Sequence, residues 1–318
     1  MKKRTLSLAV GAILTVLAIL FPYILPKFQL RMINEIIILV LFTMTWKMML
    51  NEGGMFSFGH AAFFGIGAYT STLLLVKAGV NPWIGMVLGA VLAVAFSLAV
   101  GYPCFRLLGH YFAIATLALG EILITVVSNI EAIGAGRGIT LPILKESLIN
   151  FQFHKSKVPY YYIAMIFAAG MFWVTCLIER SRTGYYLKAI KEDPVAAICL
   201  GVNTTRYKAY AMGISAFFAS ISGSFYAQYA LFIDPESVMP LSLSVIFCLI
   251  PILGGAGTKW GPVIGTCVFI PVSEFTRIYF GGGGKAIDTM IYGALIVLIS
   301  VFQPEGLVGL FSKLKTKE

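Results

Sequence analysis

Charged residues are scarce in this sequence. They make up 12% of its 318 residues, whereas soluble domains carry about 25%. Hydrophobic residues account for 58%, and the mean hydropathy is +0.87. This composition excludes a soluble globular domain. Because the apolar residues form runs long enough for membrane helices, it predicts an all-α polytopic membrane helix bundle.

Histidine and cysteine are also sparse. The three histidines, His60, His110 and His154, are dispersed along the chain, and the five cysteines are scattered within or beside apolar runs. This spacing indicates no metal site and no disulfide framework. No Ser/His/Asp grouping is present either, so the sequence does not predict an enzyme.

A phosphate-binding loop is missing as well. The nearest match runs from Gly281 to Lys285, but Ala286 stands where such a loop needs Ser or Thr, and Tyr279 stands where it needs its first glycine. The chain is therefore expected to hold no nucleotide and no other cofactor. If ATP drives this protein, partner subunits must bind it.

The net charge of +10 does not indicate nucleic-acid binding, because the cations lie in short loops and tails and form no contiguous basic face. A 20-residue window predicts ten membrane spans, including an uncleaved first one. The spans are 6–25, 33–50, 55–76, 82–101, 110–129, 159–178, 207–232, 242–256, 262–280 and 287–302. Most Lys and Arg residues fall on one side if both termini are cytoplasmic, as the positive-inside rule requires.

A polar segment, 179–208, interrupts the apolar chain and is called the hairpin below. Ser181 or Thr183 can cap a first short helix, Asp193 followed by Pro194 can open a second, and Gly201 can end it. The sequence predicts two short helices with an elbow between them, on the cytoplasmic side. Two interpretations are open: a socket for a soluble partner, or a solvated linker between spans.

Two patterns describe the spans themselves. Small residues recur every fourth position at 85–101 and 215–227, which lets helix backbones approach closely in lipid. Glu121 lies inside the fifth span, where an ionisable residue either lines a pathway or is tied to a neighbouring helix.

On the far side of the membrane, the loop 130–158 either meets an external partner or simply connects two spans.

At this point the sequence resembles the permease subunits of ATP-binding-cassette importers for branched-chain amino acids, of the M type. The resemblance covers about Asn51 to Leu310. Its motifs are GGMFSFGHAAFFGIGAY, GHYFAIATLALGEI, the hairpin SRTGYYLKAIKEDPVAAICLGV, GGAGTKWGPVIGT and PEGLVG. One departure is visible: where the family commonly has T-G-G-x-x-G-I, this chain reads Gly134, Ala135, Gly136, Arg137, Gly138, Ile139.

The resemblance implies one transmembrane permease domain over 1–318, like that of type II importers, with the hairpin 179–208 as its coupling element. It also implies a bacterial inner membrane, a homologous H-type permease subunit, two cytoplasmic ATPase subunits that bind ATP, and an external solute-binding protein. The substrate would be a branched-chain amino acid or a related small solute such as urea. The coupling residues implied are Glu192, Asp193, Ala196, Ala197 and Gly201.

Candidate pathway residues are Gly59, His60 and Gly65 in the glycine-rich motif, together with Glu121. For His60, at the start of the third predicted span, capping and packing contacts are favoured over contact with substrate. A competing hypothesis from the residues alone is a secondary transporter driven by an ion gradient. In that case Glu121 would be the coupling group, because proton relays use carboxylates inside the membrane.

Overall fold

The computed structural model describes residues 21–23, 25–105, 107, 109–255, 257–280, 293–294 and 306–309. This part of the chain is a helix bundle with two strands of two residues each. The helices are α1 (Lys27–Gly53), α2 (His60–Ala78), α3 (Pro82–Cys104), α4 (His110–Asn129), α5 (Val158–Arg180), α6 (Arg182–Glu192), α7 (Pro194–Cys199), α8 (Thr204–Ala230), α9 (Pro235–Val238), α10 (Leu241–Gly254) and α11 (Gly261–Phe280).

Six helical segments of the described chain are long and apolar enough to cross a membrane: α1 to α5, and Pro235–Gly254, which joins α9 and α10. An all-α multi-pass membrane fold is therefore confirmed. The predicted spans 207–232 and 262–280 correspond to α8 and α11. The predicted spans 6–25 and 287–302 lie almost entirely outside the described residues, so the count of ten stays a prediction.

Two predicted boundaries differ from the structure for physical reasons. The second span was predicted to begin at residue 33, but α1 begins at Lys27, directly after Pro26, because a hydropathy window leaves out the charged first turns of the helix. In these turns Arg31 and Glu35 form an ion pair four residues apart, with 3.0 Å between Nε and Oε1. The third span was predicted from residue 55, but α2 begins at His60. Gly54, at φ 61°, ends α1, and Trp46 Nε1 donates to Ser57 O at 2.8 Å, which holds residues 54–59 as an ordered loop.

Helix α8 lies at the centre of the bundle and packs against α1, α2 and α3. The predicted small-residue stripes are confirmed as buried contact surfaces on α3 and α8. The closest approaches join α2 to α8: a Cβ on Gly67 would lie 2.0 Å from Ser220 O, and one on Gly223 would lie 1.8 Å from Phe64 O. Only glycine permits backbones this close.

The two ends of the bundle differ. At the hairpin end, α6 and α7 project between α5 and α8. At the opposite end, called the loop end, β1 (Ile139–Thr140) pairs antiparallel with β2 (Phe232–Ile233). Leu141 N also donates to Leu231 O at 2.9 Å, so the long loop after α4 is fixed to the segment that follows α8.

Candidate functional site

The hairpin has the local structure that its sequence predicts. Ser181, rather than Thr183, caps α6: its Oγ accepts from Gly184 N at 3.2 Å. Asp193 caps α7, where its Oδ1 accepts from Val195 N at 2.8 Å and from Ala196 N at 3.1 Å. Pro194 occupies the first helical position, and Gly201 follows α7 with φ 81°. Two capped helices with a fixed elbow are more ordered than a solvated linker.

One face of the hairpin packs onto the bundle. Leu187, Ile190 and Ala197 are buried, and Tyr186 packs against Tyr207 of α8 with 4.8 Å between ring centroids. The loop after α1 also contacts α6, since a Cβ on Gly54 would lie 3.0 Å from Lys191 Cα. The hairpin is therefore attached to α1, α5 and α8 together.

The other face of the hairpin is open. Four of the five predicted coupling residues, Glu192, Asp193, Ala196 and Gly201, are exposed, whereas Ala197 is buried against the bundle. Sequence reasoning missed the apolar part of this surface, which consists of Val195 (62% exposed), Ile198 (57%) and Leu200 (82%). The sequence did contain a signal for it: Ile198 and Leu200 follow Val195 by three and five residues, on and directly after a short capped helix. This exposed apolar knob, flanked by carboxylates, has the character of a protein-docking surface.

A charge cluster lies beneath the hairpin. Glu179, at the end of α5, is 3.9 Å from Lys47 Nζ of α1 and also bonds Lys259, which lies between α10 and α11. The hydrogen bond to Glu179 raises the pKa of Lys259 above its ordinary value. One carboxylate thus connects three parts of the bundle at the base of the hairpin.

The predicted pathway residues do not meet at one point. His60 is fully buried at the start of α2, where its Nε2 lies 2.7 Å from Ser215 Oγ. Ser215 donates its only hydroxyl hydrogen to Thr45 O at 2.9 Å, so His60 Nε2 carries the proton and donates to Ser215. His60 Nδ1 has no hydrogen-bond partner among the described residues. His60 thus connects α2 to α8 and α1.

Gly59 and Gly65 lie at close helix contacts. A Cβ on Gly59 would lie 2.6 Å from Thr116 O of α4, and one on Gly65 would lie 2.1 Å from Met239 Cγ. Glu121 lies elsewhere, on the exposed face of α4, together with Thr125 and Asn129 one and two turns along. No observation assigns these residues to a pathway, so that role stays a prediction. Within the described residues, no group of three or more His, Cys, Asp or Glu side chains could hold a metal ion.

The departure from the family pattern has a local cost. Ala135, at the position where the resemblance leads one to expect glycine, has φ 45°, in the left-handed region. A non-glycine residue in that region loses about 1–2 kcal/mol of stability. Glycine avoids this loss, but it gives the unfolded chain more conformational freedom, which lowers stability by about 0.4–1 kcal/mol. We expect Ala135→Gly to stabilise the loop by about 1 kcal/mol. Amide exchange measured by mass spectrometry should slow about fivefold at 131–141.

Gly136→Ala is the matched control, because Gly136 has no positive φ and a Cβ there would meet nothing within 4 Å. Its expected effect is the roughly 0.4–1 kcal/mol that alanine gains over glycine through the unfolded chain, so exchange at 131–141 should slow by about two- to fivefold. Faster exchange in Ala135→Gly than in the unmodified chain would show that the conformation of Ala135 is unstrained.

Comparison with known proteins decides the family. A family model described as the permease component of branched-chain amino acid transport systems matches residues 29–300. The chain belongs to this permease family. The permease is 27% identical to the high-affinity branched-chain amino acid transport system permease protein LivM of Salmonella typhimurium, over 93% of its own length and 73% of the relative's.

Two further relatives place the permease within the family. It is 24% identical to the LivH permease protein of Escherichia coli K12, over 80% of its own length and 86% of the relative's. It is 23% identical to a probable LivM of Methanocaldococcus jannaschii, over 77% of each chain. No solved structure matches the permease. The M-type resemblance is confirmed. The relatives of the permease are transport permeases rather than enzymes.

Proposed function

We propose that this permease is a subunit of an ATP-binding-cassette importer for branched-chain amino acids in a bacterial inner membrane. Two cytoplasmic ATPase subunits bind ATP and dock on the hairpin, with both termini of the permease on the same side. An H-type permease completes the pathway, and an external solute-binding protein delivers the substrate at the loop end. The same proposal includes ten membrane spans in the architecture of type II importers.

The observation that carries the proposal is the hairpin surface. A helix of six residues would not be stable alone, yet α7 is held by the Asp193 cap and, together with Leu200 directly after it, presents three apolar side chains to solvent. Exposing Val195, Ile198 and Leu200 has no benefit for folding. A partner that covers them would explain both the exposure and the rigid support beneath.

The test uses Ile198→Asp, because Ile198 is 57% exposed and its replacement should leave the fold intact. A carboxylate at the centre of an apolar interface costs about 2 kcal/mol or more, so ATPase association should weaken at least tenfold. Tagged permease is purified from membranes of its native host, and the nucleotide-binding subunits are quantified by mass spectrometry with the ATPase activity of the eluate. Glu192→Lys should act in the same direction without disturbing the Asp193 cap.

Ile143→Asp is the matched control, since Ile143 is also an exposed apolar residue (77%) but lies at the loop end. Its ATPase recovery should equal that of the unmodified permease. In membrane vesicles, leucine uptake should need ATP and survive an ionophore. Uptake that ignores ATP and collapses with the ion gradient would instead establish the secondary-transporter mechanism with Glu121, and the importer proposal would be abandoned.

A further inference from the structure

A cavity of about 270 Å³ lies between α1, α2, α8, α9, α10 and α11, and none of the residues predicted to line a pathway is in its wall. It is slightly smaller than the sites of drug-sized ligands, which occupy about 300–1,000 Å³. Its walls are of two kinds: Arg31, Glu35 and Tyr226 are polar, and Ile38, Phe64 and Phe247 are among its apolar residues. The cavity therefore suits a small solute with one charged and one apolar end.

The polar wall carries both signs of charge. Arg31 Nε donates to Glu35 Oε1 at 3.0 Å, with the Arg31 side chain 64% exposed and the Glu35 side chain 27% exposed. A guanidinium has five N–H donors and that bond uses one of them, so its terminal nitrogens can face a second carboxylate. Glu274 of α11 adds negative charge near Arg31. A solute that carries both an anion and a cation matches this wall.

The apolar wall is closed at its deep end. Phe64 and Phe247 are buried, with 6.1 Å between their ring centroids, and Phe42 packs on both at 5.2 and 3.8 Å. Phe42 in turn lies 6.2 Å from the His60 ring. An aromatic cluster thus separates the cavity from the His60–Ser215 contact and offers an apolar side chain a surface shielded from water.

A second cavity adjoins the first at its polar wall. A second space of about 470 Å³ shares Arg31, Glu35 and Tyr226 with the first and extends to Lys27 and Lys157 at the loop end. The Arg31–Glu35 pair therefore stands where a polar vestibule meets an apolar pocket. An anion alone would face Glu35, and an apolar molecule alone would desolvate the ion pair without compensation.

We propose that this cavity binds a small zwitterion with an apolar side chain. Its carboxylate is held by Arg31, its ammonium group by Glu35, and its side chain packs on Phe64 and Phe247. This site rests on the proposed function and deepens it, because it places a selective amino-acid site inside this subunit. Arg31 and Glu35 then bind the two charged groups of the solute, and the distance between these two side chains fixes the position of the solute in the cavity.

The test uses purified full-length permease in lipid nanodiscs without ATP or any partner subunit, with tritiated leucine as the probe. Leucinamide lacks the carboxylate, and 4-methylpentanoate lacks the ammonium group. Leucine should compete at least tenfold better than either analogue. Arg31→Gln should weaken leucine at least tenfold and abolish its advantage over leucinamide, and Glu35→Gln should abolish its advantage over 4-methylpentanoate.

Arg137→Gln and Glu131→Gln are the controls, because both residues are exposed charges at the loop end outside the cavity. They should bind leucine normally, and Arg31→Lys should keep part of the preference for a carboxylate. Thermal unfolding of each variant separates lost binding from lost folding. Unchanged leucine affinity in both cavity variants, or equal weakening of all three compounds, would overturn the site. Because no ATPase is present, this outcome is independent of the docking test on Ile198.

Discussion

Gly223→Ala is expected to destabilise the permease by about 3 kcal/mol or more. The added Cβ would lie 1.8 Å from Phe64 O and 2.7 Å from Phe64 C, so it meets the backbone of α2 rather than a side chain that could move aside. Overpacking of a core costs about 1–3 kcal/mol and occasionally more, and an obstruction made of backbone belongs at the upper end. The two helices must separate along their closest contact.

The buried cysteines provide the measurement. Cys104 and Cys248 are 7% and 1% exposed, so a thiol-reactive dye reports their exposure as purified permease is heated, above the signal that the exposed Cys199 and Cys267 give before heating. Gly213→Ala on the same helix is the control, because a Cβ there would meet only Val94 Cγ1, at an ordinary 3.7 Å. Alanine is the better helix former by about 1 kcal/mol, so this variant should be as stable as the unmodified chain or more so. Parallel losses in the two variants would contradict the steric explanation.

Glu179→Gln should cost about 3 kcal/mol, the second large effect. Lys47 has a side chain only 4% exposed, and its ion pair with Glu179 compensates for that burial. Removing one partner of a buried pair typically costs about 3–5 kcal/mol, because the remaining charge is left without compensation. The lower value applies here, since the charge of Glu52 also acts on Lys47.

A double variant tests whether the pair itself is responsible. Lys47→Met combined with Glu179→Leu replaces both charges by apolar groups of similar size, and this variant should regain most of the lost stability. Lys259→Gln removes the more exposed partner, whose side chain is 40% exposed, and should cost about 1 kcal/mol or less. If the double variant were as unstable as Glu179→Gln, the burial of Lys47 would not be the cause.

Local chemistry explains which parts could be predicted. The hairpin follows from rules that act within a few residues: Ser181 caps α6, Asp193 and Pro194 open α7, and Gly201 follows it. The central spans follow from runs of apolar residues, and the helix contacts follow from small residues every fourth position. Each of these features can be recognised from residues that are close together in the sequence.

What the sequence could not show depends on partners far apart in the chain. Lys47 and Glu179 form an ion pair across 132 positions, and Ile139 pairs with Ile233 across 94. The early start of α1 was missed because the charges of Arg31 and Glu35 lower the mean hydropathy of this stretch below that of a membrane span. In the structure both residues lie in the helix and form part of a cavity wall. The exposed Val195, Ile198 and Leu200 were missed because an apolar residue in a short helix is ordinarily assigned to the core.

The length of α8 has a mechanical consequence. Its 27 residues, Thr204–Ala230, span about 40 Å, from the end of the hairpin to the segment that leads into β2. Its side-chain hydroxyls fix it to two neighbours, since Ser222 donates to Ile38 O at 3.2 Å and Ser224 donates to Gly67 O at 2.9 Å. Because these bonds hold α8 to α1 and α2, we expect a displacement of the elbow to move the β1–β2 pair as well. One helix would then join the motions of the two ends of the bundle.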